Sequence, residues 1–311
     1  MEKLYLGIDI GGTACKIGLI NHDGKIIYTD SYSVNFDNYD TPILDTVLSS
    51  ADIFLDTYKI NIKKICGIGV SATGAVDSNK GEIAGTAGHI KNYLGSKIKK
   101  SFEDKYKIKT EVLNDANAAC LGELWLGEAK GKKDVVVITI GTGVGGGIIV
   151  NGDILLGSKG FAGEIGHFSI DKDGVPCSCG NKGCLEALGS TTALTKMVKE
   201  AGLLSDREIN GKVIFDEAAL DNKEVLVILN KWIDNIATGI TGLVHIFNPE
   251  LVLIGGGVSK QEEYFIFPLR NKVLSKVMPH FGKDLELKAC KLNNEAGMVG
   301  AVYYLLNKDG K

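Results

Sequence analysis

The sequence predicts a mixed α/β protein made of two related halves, and two observations carry that expectation. The stretch VVVITIGTGVGGGIIVNGDILL, from Val135, repeats LYLGIDIGGTACKIGLINHDGKII, from Leu4, element for element: strand, glycine turn, strand, polar turn, strand. Elsewhere, apolar residues fall at the i, i+3/i+4 spacing of amphipathic helices. A repeat at this scale indicates duplicated domains rather than a solenoid. No linker stands out by composition, so the repeat sets the boundary: 1–113 with 297–311 as one domain, and 114–296 as a larger second one.

In chain order, Leu4 to Ile10 is a short apolar strand broken by Gly-Gly-Thr, and Lys16 to Ile20 resumes it. Asn21 to Gly24 is a turn, and Lys25 to Tyr28 continues as a third strand. Pro42 opens a helix in which Ile43, Leu44, Val47, Leu48, Ala51 and Leu55 share a face. Ile65 to Val70 is a buried strand ending in SATGAVD, and Gly81 to Gly95, without a period, reads as a loop. Thr110 to Leu113 is a strand that delivers Asn114 and Asp115 to a helix carrying Ala118, Leu121 and Trp125 on one face. After the repeat, Thr191 to Ala201 is helical, whereas Ser205 to Asn222 is polar and unassigned. Val225 to Phe247 is a long amphipathic helix with Leu226, Leu229, Trp232, Ile233, Ile236, Ile240 and Val244 inward. Asn248-Pro249 stops it, and Leu251 to Ile254 is a buried strand running into Gly255-Gly256-Gly257. Ser259 and Glu262 have capping-box spacing for the next helix, and Ala296 to Leu306 forms the last.

Bulk composition narrows the function classes. The chain has 311 residues, 44% hydrophobic and 23% charged, with a net charge of −3. Such a balance gives no support to a nucleic-acid or membrane-surface partner. No run approaches the ~18 apolar residues of a spanning helix, and the apolar run before Asp9 is too short for a secretory leader. Seven cysteines, an odd number with three bunched, fit a reducing compartment and a metal site better than a disulfide framework. A cytoplasmic protein is expected.

Glycine turns carry the first chemical signal. At Gly11-Gly12-Thr13 and Gly141-Thr142-Gly143, backbone N–H groups can converge on an anion that only glycine lets the main chain approach. One such turn often does no more than join two strands. Two matching turns, with a third run at Gly255 to Gly257, point to two facing hairpins that grip one nucleoside triphosphate. Neither is a Walker loop, since no Lys-Ser/Thr closes it, nor a Rossmann fingerprint, since no helix follows. Thr13 and Thr142 add hydroxyls and Lys16 a cation. Asp9 suits Mg²⁺ held through water, because that ion dehydrates reluctantly.

Asp115 opens a helix at a strand end, which is equally the pattern of an N-cap. As a functional group it reads as the general base that takes a hydroxyl proton while the phosphoryl group leaves ATP. Positioning and charge neutralisation supply most of the rate in that reaction, so a weak base suffices. Asn114 beside it offers a donor and an acceptor to a polyol. Glu164, His167 and Glu186, with Gly74 in the SATGAVD turn, complete a set suited to sugar hydroxyls.

His167, Cys177, Cys179 and Cys184 make a Cys₃His set that matches tetrahedral Zn²⁺. The rival reading is three buried or redox-active thiols, and a zinc ribbon for nucleic acid lacks a basic patch. Four protein ligands leave no open position, so the zinc is expected to be structural. Cys15, Cys66, Cys120 and Cys290 read as small packed residues.

Several motifs resemble one family nearly end to end. They are DIGGT (Asp9–Thr13), NDANAA (Asn114–Ala119), GTGVGGGIIVNG (Gly141–Gly152), GEIGH (Gly163–His167), CSCGNKGCLE (Cys177–Glu186) and NPELVLIGGG (Asn248–Gly257). Together they resemble the ROK proteins: repressors, open reading frames and kinases. The resemblance implies an actin-like, RNase-H-like α/β ATPase fold, with two domains and an ATP and sugar cleft between them. It implies an ATP-dependent kinase acting on the 6-hydroxyl of glucose or a related hexose. Sugar contacts are implied at Asn114, Asp115, Glu164, His167 and Glu186, with Asp115 as base and His167 giving one ring nitrogen each to zinc and sugar. Similar proteins are commonly dimers. The family's repressors carry a winged-helix region ahead of the first hairpin; here the first strand starts at Leu4, so a kinase is expected. The rivals are a non-catalytic sugar sensor and an actin-like ATPase with no small substrate.

The sugar itself stays open. Family glucokinases usually have Asn two or three residues before a Trp in the loop matching Gly81 to Gly95, where this chain has GTAGHIKNYLG. VSATGAVDSNKG and the Tyr93-Leu94-Gly95 run resemble β-glucoside kinases, and DGVPCSCG resembles N-acetylmannosamine kinases. N-acetylglucosamine is a further alternative, so the expected partner is a hexose or an amino sugar.

Overall fold

The structure is a computed structural model, and it describes residues 3–85 and 90–308. The chain divides into two compact units. The first takes in the chain to Lys130, Ile154–Ala162 and the chain from Asn294. Its strands are β1 (Leu4–Ile10), β2 (Ala14–Asn21), β3 (Ile26–Ser33), β4 (Ile65–Ala72), the short pair β5 (Ala75–Asp77) and β6 (Glu82–Gly85), and β7 (Thr110–Asn114). The main sheet runs β3-β2-β1-β4-β7. β1, β2 and β3 form an antiparallel meander, while β4 and β7 lie parallel to β1. Helices α1 (Ile43–Thr57) and α2 (Ile98–Tyr106) supply apolar faces. Ile43, Val47, Ala51, Phe54, Ile98 and Phe102 join Ile8, Ile10, Ile17, Val70 and Val112 in one buried core.

The other face of this sheet is shaped by glycine. Gly7 of β1 pairs across to Gly18 of β2 and to Gly69 of β4, so three glycines line up over three strands. The C-terminal helix, Ala296–Lys308, lies in that trough. A Cβ on Gly7 would stand 2.7 Å from Met298 Cγ, one on Gly18 2.5 Å from its Sδ, and one on Gly69 2.4 Å from the Ala301 carbonyl. The same helix also meets α3 (Asp115–Leu126) backbone to backbone. A Cβ on Gly300 would lie 1.7 Å from the Ala118 carbonyl oxygen, and one on Gly122 2.4 Å from that of Ala296.

The second unit comprises Gly131–Asp153 and Gly163–Asn293. Its sheet runs β10-β9-β8-β11-β12, from β8 (Val135–Ile140), β9 (Val144–Val150), β10 (Asp153–Ile154), β11 (Leu251–Gly255) and β12 (Glu286–Ala289). β8 pairs antiparallel with β9 and parallel with β11, as β1 does with β2 and β4. The repeat in the sequence is therefore a repeat of topology. Its helices include α4 (Leu185–Gly189), α5 (Thr191–Glu200), α6 (Gly211–Ala219), α7 (Lys223–Phe247) and α8 (Phe267–Lys276). Buried Trp232 on α7 donates to the Ser190 carbonyl at 2.9 Å, tying that helix to the start of α5.

Some expectations differ from what is observed. A boundary at 113/114 assigns α3 to the second domain, but its glycine contacts with the C-terminal helix keep it in the first unit. The Gly81–Gly95 stretch is not all loop, because Glu82–Gly85 pairs with β5; residues 86–89 lie outside the described residues. The polar 205–222 segment contains α6, capped by Asn210 and packed through only Ile214, Phe215 and Ala218, too few to give a clear period. Leu226 is half-buried, as the inward stripe starts at Val225 instead. Ser259 does not cap the next helix, because its hydroxyl donates back to the Gly256 carbonyl at 2.8 Å, and the helical run starts as a π turn at Glu262, after Gln261, before continuing as α8. Among the described residues, no helix is long and apolar enough to cross a membrane.

The trough makes a stability prediction. Replacing Gly300 with Val should cost at least ~3 kcal/mol, because neither backbone can retreat without moving the sheet or α3. A substantially lower melting temperature would register the loss. Gly211, with nothing within 4 Å of its Cβ direction, should accept Ala with no such drop.

Candidate functional site

In the first unit, the candidate residues collect at one edge of the sheet. The parallel register sets Asp9 beside Ser71 and Ala72 beside Asn114, so the C-terminal ends of β1, β4 and β7 adjoin. Open parallel sheets bind ligands at this edge. The Ser71 hydroxyl donates to Asp9 Oδ1 at 2.6 Å. Burial raises the Asp9 pKa, while Ser71 and then Lys16 act to lower it. Lys16, opposite Asp9 on β2, donates to the Asn294 carbonyl at 3.1 Å. A Cβ on Gly297 would lie 2.8 Å from Asp9 Oδ1, so this glycine brings the first turn of the C-terminal helix onto the carboxylate. A helix N-terminus favours negative charge.

The first glycine turn closes through Gly11 N–H donating to the Ala14 carbonyl at 2.9 Å. Its outer carbonyls are held by the protein: Tyr39 Oη donates to Gly12 at 2.8 Å, and Val34 N–H to Thr13 at 3.0 Å. Thr13 itself is exposed.

At the end of β7 the division of labour between two neighbours is clear. Asn114, not Asp115, caps α3: its Oδ1 accepts from the N–H groups of Ala116 and Asn117 at 3.0 and 3.2 Å. Its Nδ2 donates to the Gly74 carbonyl and to Asp115 Oδ1, both at 2.9 Å. Both polar atoms of Asn114 therefore serve the protein. Gly74, at φ +92°, is in a conformation that favours glycine, and it contributes the carbonyl that Asn114 needs. Asp115 is the first residue of the helix proper, half-buried, with Ala116 N–H donating to its Oδ1 at 2.8 Å.

In the second unit, parallel pairing sets Gly255 beside Thr139 and brings the run Gly255–Gly257 next to the turn Gly141–Gly143. Gly256 has φ +88°, and a Cβ there would sit 2.0 Å from the Ile140 carbonyl oxygen. The Gly141 carbonyl accepts from both N–H and hydroxyl of Thr191, and the Thr142 carbonyl from the Thr192 hydroxyl at 2.8 Å. Glu186 Oε2 accepts from Val144 N–H at 3.1 Å, and Ser178 Oγ donates to its Oε1 at 3.2 Å. Glu186 thus links the glycine turn to the cysteine loop.

Glu164 is exposed at the entry to a single helical turn, Ile165–His167. Gly166 permits that turn, since a Cβ would meet the Val144 carbonyl oxygen at 2.0 Å. His167 Nδ1 lies 3.6 Å from Cys177 Sγ, and Cys179 Sγ lies 3.6 Å from Cys184 Sγ. One ligand atom from each of these four residues falls within 4.8 Å of the others, a candidate metal centre. Burial pushes the Cys184 thiol up to about 12, while a backbone hydrogen bond from Asn181 lowers Cys179.

Sequence reasoning did not single out Ser71, Gly297, Tyr39, Thr191 or Thr192. Thr191 and Thr192 had a local signal, a Ser-Thr-Thr helix start after the cysteine loop. The others act across long separations and had none.

Known proteins bear on these arrangements. A glucokinase from Thermotoga maritima is 32% identical over the full length of both chains. A β-glucoside kinase from Listeria monocytogenes is 30% identical over 97% of each. A ROK glucokinase from Streptomyces griseus, solved with glucose and AMPPNP, superposes with a TM-score of 0.81 at 28% identity, covering 97% of this chain and 98% of the other. The actin-like ATPase fold of these kinases is the fold of this chain. The profile of the ROK family matches residues 5–308, and the chain belongs to that family.

Proposed function

We propose that this chain is an ATP-dependent hexose kinase, with Asp115 as general base for transfer of the γ-phosphoryl group to a sugar 6-hydroxyl. The observation that carries this reading is the use of Asn114 as helix cap, which holds Asp115 by Oδ1 at a helix N-terminus on the ligand-binding edge of the sheet. The N-terminal field favours the ionised form. As the sugar oxygen attacks the γ-phosphorus, its proton passes to the Asp115 carboxylate and ADP departs with the electron pair of the broken P–O bond. Asn114, Glu164, His167 and Glu186, with Gly74, are assigned to sugar recognition. In Asn114 and Gly74 that role runs through the placement of Asp115, to judge by their hydrogen bonds. The glycine turns with Thr13, Lys16 and Thr142, and the run Gly255–Gly257, are assigned to ATP. Mg²⁺ neutralises phosphate charge when bound, and Asp9 would hold it through water.

Zinc is the metal assigned to His167, Cys177, Cys179 and Cys184. Bonds of about 2.3 Å to sulfur in a tetrahedral site place neighbouring sulfurs ~3.8 Å apart. The 3.6 Å between Cys179 and Cys184 supports that assignment. With four protein ligands the ion has a structural role, bracing the loop between Gly163 and Glu186. A cytoplasmic homodimer is the assembly proposed, and light scattering at about twice the chain mass would support it.

A panel of Mg-ATP with glucose, N-acetylmannosamine, N-acetylglucosamine, fructose and cellobiose tests the activity. Sugar-dependent ADP release is expected. Release without sugar would indicate a simple ATPase, and none at all a sugar sensor. Asp115→Asn should lower turnover at least ~10²-fold at an unchanged melting temperature; retained activity would remove Asp115 from the role of base. Metal analysis of protein purified without added metal should find about one zinc per chain, and chelation should weaken sugar binding more than ATP binding. A metal-free chain that is folded and fully active would refute the zinc site.

A further inference from the structure

Glu186 is assigned to the sugar, yet each of its carboxylate oxygens already meets a donor from the protein. Oε2 accepts from Val144 N–H at 3.1 Å, where the second glycine turn ends, and Oε1 accepts from the Ser178 hydroxyl at 3.2 Å. A Cβ on Gly143 would stand 2.5 Å from Oε2, so the glycine is what lets the carboxylate approach the turn so closely. A carboxylate has about four acceptor positions, and these two bonds use one on each oxygen. The last torsion of a glutamate side chain is broad, so one bond would leave the carboxylate plane free to rotate. Two bonds on different oxygens fix the plane.

Ser178 is the less expected of the two partners. It is exposed, and lies between Cys177 and Cys179, two of the residues assigned to zinc. Its backbone is held in a tight turn: Gly180 N–H donates to the Cys177 carbonyl at 3.1 Å, and Cys177 N–H to the Asn181 carbonyl at 2.8 Å. Gly180, at φ +90°, completes that turn in a conformation that favours glycine. Cys177 Sγ stands 4.0 Å from the same hydroxyl, long even for sulfur, so the carboxylate is the partner that orients it. A hydrogen bond that water can replace adds little to stability. Its consequence is where Glu186 points. We propose that Ser178 is a positioning residue for sugar recognition: its hydroxyl holds Glu186 Oε1 so that, with Oε2 on Val144 N–H, the carboxylate presents its remaining acceptor positions to sugar hydroxyls in one orientation. This inference rests on the kinase reading above and on the place of Glu186 in it. The geometry also makes the effect one-sided. Val144 N–H, at the glycine turn assigned to ATP, keeps Oε2 when the serine hydroxyl is removed. Sugar binding weakens while ATP binding holds.

Ser178→Ala tests it, with the sugar that the panel shows to be best. KM for sugar should rise about fivefold to tenfold, while kcat and KM for ATP stay within about twofold. The calorimetric Kd for sugar alone should rise with the sugar KM. Melting temperature and metal content should match wild type, because the hydroxyl is exposed and no proposed metal ligand is altered. In a Glu186→Ala background the same substitution should add nothing, since the group through which Ser178 acts is gone. Unchanged sugar KM and Kd in Ser178→Ala would overturn the proposal, leaving the hydroxyl idle. A lowered melting temperature or metal content with both KM values raised would overturn it too, making Ser178 a structural part of its loop. A full further rise in sugar KM in the Glu186→Ala background would equally refute action through Glu186. Wild-type protein that neither binds nor turns over any sugar would overturn the kinase reading and this inference together, whereas an active wild type with an unaffected Ser178→Ala would overturn this inference alone.

Discussion

Much of the first unit depends on how closely the C-terminal helix approaches its sheet. Helices usually pack on sheets through side chains, whereas here three glycines aligned over β2, β1 and β4 admit Met298 and the backbone at Ala301. On its other flank the helix touches α3 with nothing between the two backbones. Dispersion at such distances is strong because no void remains, and steric exclusion makes the position unique. The helix therefore fixes α3 relative to the ends of β1 and β4. Asp115, at the first residue of α3, and Asp9, at the end of β1, inherit their relative placement from that contact. The trough also ends at Gly297, where the helix N-terminus meets Asp9. Two carboxylates are thus positioned by one packing arrangement, which reaches Asp9 directly at Gly297 and Asp115 through α3.

How those carboxylates differ follows from what surrounds them. Asp9 is held by a serine hydroxyl under a helix N-terminus, and burial raises its pKa, a setting that rewards a cation placed beside it. Asp115 receives a backbone N–H and an amide N–H on a single oxygen, an arrangement that orients a carboxylate. An acidic residue near a helix start is usually explained as a cap. Here the cap is the preceding asparagine, so the structural explanation for Asp115 is already taken.

Much of this was legible in the sequence where the cause is local. Strand, glycine turn and strand are set by neighbours within a few residues, which is why the repeat predicts two sheets of matching order. The bunching of Cys177, Cys179 and Cys184 near His167 is local in the same sense. Which of Asn114 and Asp115 caps the helix was not legible, since both residue types cap well and the choice depends on a carbonyl forty positions earlier, at Gly74. Gly7, Gly18 and Gly69 were equally opaque. A glycine inside a strand reads as a bulge or a weak point, and only the arrival of the C-terminal helix, far later in the chain, gives it a reason. The compact units differ from the expected 113/114 boundary for the same reason, because α3 packs against a helix from the far end of the chain.

The second unit uses the same hairpin but braces it differently, and this bears on the metal proposed there. Among the described residues, its outer carbonyls are held not by a tyrosine but by Thr191 and Thr192, from the start of α5. α4 and α5 follow directly on Cys184, so the loop that carries the cysteines determines where those hydroxyls arrive. Glu186, two residues beyond Cys184, reaches back to Val144 at the same turn. The 163–184 loop, by contrast, has little apolar packing of its own: Ile165 and Cys184 are buried, but Cys179, Glu164 and Val175 are exposed. A loop so poor in core needs a covalent or coordinate staple to hold its shape. A four-ligand ion, as proposed for His167, Cys177, Cys179 and Cys184, would supply it close to the histidine, the glutamate and the threonines. On that argument the ligand set proposed for zinc would brace first the loop between Gly163 and Glu186 and, through Glu186, the glycine turn beyond it.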